Sequence, residues 1–94
     1  MITIRRKRGD TLRLRFQTDI DLGITSVSAG ARNGAGIAVA LEAATFDTEA
    51  GIFEVWAAEP LPVGRYVADV KFTRPDHAQR TDSFVILITE AMTP

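Results

Sequence analysis

Apolar and polar residues alternate with a period of two along most of this chain, and each alternating run is closed by Gly, Pro, Asn or Asp. Successive side chains of a strand point to opposite faces, so such runs predict half-buried β-strands. The run after Gly9-Asp10 alternates cleanly, with Leu12, Leu14 and Phe16 on one face and Thr11, Arg13, Arg15 and Gln17 on the other. A shorter run precedes it, in which Ile2 and Ile4 share a face beside the basic cluster Arg5-Arg6-Lys7-Arg8. Helical periodicity competes nowhere convincingly.

Beyond Asp19-Ile20-Asp21-Leu22-Gly23, read as a turn, Val27, Ala29 and Ala31 mark a third strand. It ends at Asn33-Gly34, a pair that tolerates the positive φ angles of a type I′ hairpin. Ile37, Val39, Leu41 and Ala43 form the returning strand, although the alanines between Ala35 and Ala44 also suit a short helix. Asp47 to Gly51 supplies the next turn. Phe53, Val55 and Ala57 then lie on one side of a fifth strand and Trp56 on the other. Glu59 to Gly64 holds two prolines, which remove ladder donors, so it reads as a corner between sheets. Tyr66, Ala68, Val70 and Phe72 alternate against Arg65, Val67, Asp69 and Lys71, and a turn over Arg74 to Gln79 leads to a last strand with Phe84, Ile86 and Ile88. Seven short strands with frequent turn signals predict an all-β, antiparallel sandwich. Pro62-Val63-Gly64-Arg65-Tyr66 suits the corner of immunoglobulin-like domains, in which a Tyr hydroxyl binds the preceding loop.

Ninety-four residues suffice for one core, so residues 1–94 are read as a single domain. Cysteine is absent, which leaves stability to packing and fits a reducing compartment. The basic start lacks the apolar stretch of a secretory signal, and no segment is long and apolar enough to span a membrane. Net charge is −1 but unevenly spread, because residues 1–15 hold six Arg or Lys against Asp10 alone. Such a dipolar chain could pack head to tail with copies of itself or with an acidic partner. Nucleic acid is disfavoured, since no aromatics interleave with the basic run.

The pattern resembles the small immunoglobulin-like proteins of phage and prophage tails and baseplates, akin to the N-terminal domain of phage upper-baseplate proteins. The residues that carry the resemblance span nearly the whole chain. They are Arg8-Gly9-Asp10-Thr11 before an amphipathic strand, Asp47 to Gly51 before Ile52-Phe53-Glu54-Val55, Leu61 to Tyr66 followed by Asp69-Val70, and a close near Thr93-Pro94. The family's Asp-Leu-Thr-Gly turn stands here as Asp21-Leu22-Gly23-Ile24-Thr25, and His77 replaces a turn glycine after Asp76. The resemblance implies a seven-stranded antiparallel immunoglobulin-like β-sandwich that acts without catalysis, as a structural or adaptor protein binding other tail or baseplate proteins. It implies residence in the virion, or in the host cytoplasm during assembly.

On that reading the edge strand carrying Ile2, Ile4, Arg5 and Arg6 is the first candidate for partner contact, with Arg13 and Arg15 as rim charges. Trp56 fits either packing, a partner anchor or a sugar-stacking platform. A carbohydrate- or receptor-binding module is the alternative, and it requires Trp56 and Tyr66 exposed together. Other motifs read more plainly as turns. Arg8-Gly9-Asp10 spells an integrin-recognition tripeptide but opens a strand, and Gly30 to Gly36 lacks the Lys and Ser or Thr of a phosphate loop. His77 beside Asp76, with Asp82 beyond, is a lone imidazole, and Asp47, Glu49 and Glu54 lack the dense spacing of a calcium loop. No nucleophile-base or paired-carboxylate set is readable, so no catalytic residue, cofactor or metal is assigned.

Overall fold

A computed structural model describes residues 2–19, 22–23, 26–81 and 83–92. Eight strands account for the regular structure: β1 (Thr3–Lys7), β2 (Arg13–Gln17), β3 (Ser26–Arg32), β4 (Ala38–Asp47), β5 (Ile52–Trp56), β6 (Gly64–Thr73), β7 (Ala78–Arg80) and β8 (Phe84–Thr89). They form one curled, mixed sheet, a half-barrel, in the order β1-β8-β6-β3-β4-β5-β2, with β7 beside the end of β6. Among the described residues no helix is long and apolar enough to cross a membrane.

Two features depart from a seven-stranded antiparallel arrangement. β1 runs parallel to β8, with Ile4 opposite Ile86, while the other pairs are antiparallel. β7 is an additional strand where the alternation is too short to register as one. The parallel pair has a simple cause. Residues 8–12 join β1 to β2, which stand at opposite ends of the strand order. Six backbone steps reach about 20 Å at most, so the sheet must curl until its two ends nearly meet.

The alternating residues meet inside the curl. Leu12, Leu14, Phe53, Val55, Tyr66, Ala68, Val70, Phe72, Phe84, Ile86 and Ile88 belong to one buried cluster, against which Ile4, Phe16 and Ala43 pack. Phe16 and Phe53 stack on neighbouring strands with centroids 5.4 Å apart. Across the interior, Phe16 meets Phe84 at 5.3 Å and Phe53 meets Phe72 edge-on at 5.2 Å. Leu22, which the sequence pattern places in a turn, is also in this core at 1% exposure. The rest of that turn reaches Ile20 and Asp21, outside the described residues.

β4 is a strand throughout, and its two halves serve different neighbours. Ala38 to Leu41 pair with β3, and Glu42 onward pairs with β5. The loop before it is not a two-residue type I′ turn. Asn33 and Gly34 keep negative φ, and Gly36 alone there takes +78°. The Gly36 amide donates to the Asn33 carbonyl at 2.9 Å, while the Asn33 side chain accepts from the amides of Ala35 and Ile37. This is a three-residue loop ended by a left-handed glycine. The corner before β6 is as anticipated, with the Tyr66 hydroxyl donating to the Pro62 carbonyl at 2.7 Å and the ring 3% exposed.

Removing the central ring should be costly. Phe53→Ala is expected to lower the unfolding free energy by about 3–5 kcal/mol in urea titration, because it leaves a cavity between β5 and β6. Phe46→Ala, at an exposed position, should cost about 1 kcal/mol or less. Equal losses would show that the cluster does not hold the curl.

Candidate interaction surfaces

On the outer side of β2 and β5, register sets Arg13 opposite Trp56 and Arg15 opposite Glu54. Both guanidinium groups reach one carboxylate oxygen of Glu54, at 3.5 and 3.6 Å. Each also covers a ring: Arg13 lies 5.0 Å from the centroid of Trp56, and Arg15 lies 3.8 Å from that of Phe46. A cation over an exposed aromatic is worth about 0.5–1 kcal/mol, and an exposed ion pair about as much or less. Together these contacts hold two long side chains flat against the sheet, which lowers the entropy cost of using them in an interface.

The edge of β2 adds backbone recognition. The Leu12 carbonyl accepts from the Ala57 amide, and the Thr18 amide donates to the Gly51 carbonyl, so even-numbered residues of β2 address β5. Strand alternation then turns the amides and carbonyls of Arg13, Arg15 and Gln17 toward the side where, among the described residues, no strand pairs. Such an edge can accept a further strand.

β1 is the edge at the other end of the sheet, and its Arg5–Lys7 end is occupied by its own neighbours. Ile4 points into the core, and Ile2, 67% exposed, precedes the strand. The Arg6 guanidinium donates to the Arg5 carbonyl at 2.8 Å. Asp10 brackets Lys7, accepting from its amide through the carboxylate at 3.3 Å and donating its own amide to the Lys7 carbonyl at 3.0 Å. The turn through Gly9, at φ +90°, makes this closure possible, and Arg8 pairs with Glu90 at 3.3 Å. Arg8-Gly9-Asp10 is therefore a fastened turn.

The predicted contact residues thus fall into two groups. Arg13, Arg15 and Trp56 converge on one outer surface, whereas Ile2, Ile4, Arg5 and Arg6 belong to the opposite edge. Tyr66 is buried inside the curl while Trp56 lies outside it, so the two do not form a shared aromatic platform. Phe46 escaped the sequence reading. Its signal was an aromatic at an outward position of the β4 alternation, beyond Glu42 and Ala44.

Elsewhere the polar groups serve turns. His77 Nδ1 lies 2.9 Å from the Asp76 carboxylate, and that hydrogen bond holds the exposed Asp76 carboxyl below its usual range. The Asp47 carboxylate accepts from the amides of Glu49 and Ala50 and closes the β4–β5 turn. Among the described residues, no three His, Asp or Glu side chains gather to hold a metal ion. An apolar groove of about 490 Å³ runs along the open seam, between Ile2 and Phe84 on one side and Phe16 on the other.

Compared with known proteins, the chain matches no family model, no curated protein and no solved structure.

Trp56 is the sole tryptophan and reports directly on the outer cluster. Arg13→Ala should shift its fluorescence to the red and increase its quenching by acrylamide, with about 1 kcal/mol or less lost in stability. An unchanged spectrum would mean that Arg13 does not cover the ring in solution.

Proposed function

We propose that this chain is a non-enzymatic structural or adaptor protein of a phage or prophage tail or baseplate, acting by protein-protein binding. The observation that carries the binding reading is the β2 edge, with backbone groups directed outward beside arginines already laid over Trp56 and Phe46. A partner strand added there gains main-chain hydrogen bonds from the edge and contact area from the aromatic and Arg surface. The phage assignment rests on the resemblance of the turn and corner motifs, and it brings with it a place in the virion or in the assembling host cell.

The same reading favours an immunoglobulin-like, sandwich-type description of the curl. In its support, the two halves of β4 pair with different neighbours, Phe16 and Phe53 contact rings across the interior, and Tyr66 anchors the corner before β6. The carbohydrate-binding alternative loses its premise, because Tyr66 is enclosed.

Deletion of the coding gene from its native genome, followed by electron microscopy and mass spectrometry of the induced particles, tests the assignment. Incomplete or tailless particles are expected, with the protein present at a fixed stoichiometry in the unmodified ones. Complete, infectious particles that never contain the protein would contradict it.

A further inference from the structure

Six of the eleven cationic side chains share one surface of the molecule. Cross-strand register places Arg5 and Arg65 on either side of Leu87, sets Val67 beside Arg32 and Lys71 beside Arg80, and puts Lys7 opposite Thr89. All lie on the face turned away from the core. Among the described residues Asp69 lies among these cations and Glu42 and Glu54 lie further along the same outer side of the sheet, and no carboxylate forms an ion pair with any of the six. The chain's net charge of −1 conceals a strongly positive face and a negative remainder.

The middle of this face is low, built of small residues with Asp69 among them. Gly30, Ala38 and Ala40 floor an open depression of about 610 Å³ beside Val67. Small and apolar side chains surrounded by charged ones are common in protein interfaces. The face offers no aromatic on which a base could stack, which sets it apart from a single-strand nucleic-acid platform.

A matching shape lies at the far end of β4. The register shifts between Thr45 and Asp47, and the extra residue, Phe46, stands 54% exposed. Asp47 and Glu49 accompany it on the same hairpin, and neither has an ion-pair partner among the described residues. Arg13 and Arg15 both pair with Glu54, and Arg15 also lies 3.8 Å from the centroid of the Phe46 ring, so one cation stands within this patch beside its carboxylates. Ala40 and Phe46 are six residues apart on one extended strand, about 20 Å at roughly 3.3 Å per residue. The knob therefore cannot enter the depression of its own chain.

We propose that the acidic Phe46 hairpin of one copy seats in the Arg-rimmed depression of another, so that copies of this chain associate head to tail. The two surfaces differ, so the contact is heterologous and propagates into a ring or a filament instead of closing as a two-fold dimer. Opposed charges steer the encounter and make it sensitive to salt. The inference goes beyond the adaptor reading, which requires only a foreign partner, and it stands or falls separately from it.

Mixing two interface-dead variants tests it. Arg65→Glu with Lys71→Glu destroys the rim, and Phe46→Ala removes the knob; circular dichroism and melting check that each still folds. Sedimentation velocity of the unmodified chain should show association that rises with concentration and weakens at least about tenfold between 50 and 500 mM salt. Each variant alone should remain monomeric, while their mixture should give one-to-one dimers and nothing larger, because one intact knob and one intact depression remain. An unmodified chain that stays monomeric to about 1 mM overturns the proposal. So does a variant that still associates alone, or a mixture that fails to pair. Should the double charge reversal not fold, Ala40→Glu adds a second, larger carboxylate to the depression beside Asp69 and serves in its place, and the salt series needs no variant at all. Gene deletion that leaves particles intact would remove the phage assignment without touching this result.

Discussion

Four phenylalanines hold the sheet in its curl. Phe16 and Phe53 come from one end of the strand order, Phe72 and Phe84 from the strands facing them, and their rings meet at 5.2–5.4 Å. With no disulfide and no metal cluster among the described residues, this contact and the aliphatic residues around it supply the stability. Their burial removes apolar area from water at about 25 cal/mol per Å², and it also fixes which surfaces face outward. The short link from β1 to β2 is possible only because the curl brings the ends of the sheet together.

β4 turns that geometry into two surfaces. It is long enough to pair with β3 at its start and β5 at its end, so it carries the small residues of a depression and the bulged aromatic of a knob on one rigid rod. Alternation places Phe46 on the outside, next to Arg15, and the bulge leaves it without a pairing partner on β5. The β2 edge lies beside this knob, whereas on β1 the Arg5 carbonyl is met by Arg6 and the amide and carbonyl of Lys7 are met by Asp10. The molecule covers the end of one edge and leaves the other open.

Period-two alternation made the strands and most of the core legible, because inward and outward residues differ in kind at Leu12-Arg13-Leu14-Arg15 and again from Tyr66 to Phe72. The Tyr66 corner was legible too, since its geometry depends on a local motif. Other features needed long-range information. The parallel pairing of β1 with β8 follows from chain closure, Leu22 is buried by what packs on it, and Gly36, not Asn33, takes the left-handed turn position. Charge along the chain pointed to the first fifteen residues. In the fold, only Arg5 and Lys7 of those join the positive face, and register from β3, β6 and β7 supplies the other four.

The central claim is that two unlike surfaces of one chain recognise each other, and amide chemical shifts followed on dilution test it most directly. The account predicts concentration-dependent shifts in two separate patches, one around Gly30, Ala40 and Val67 and the other around Phe46, Asp47 and Glu49, both fading at high salt. Shifts confined to a single patch, or spectra unchanged on dilution, would contradict it.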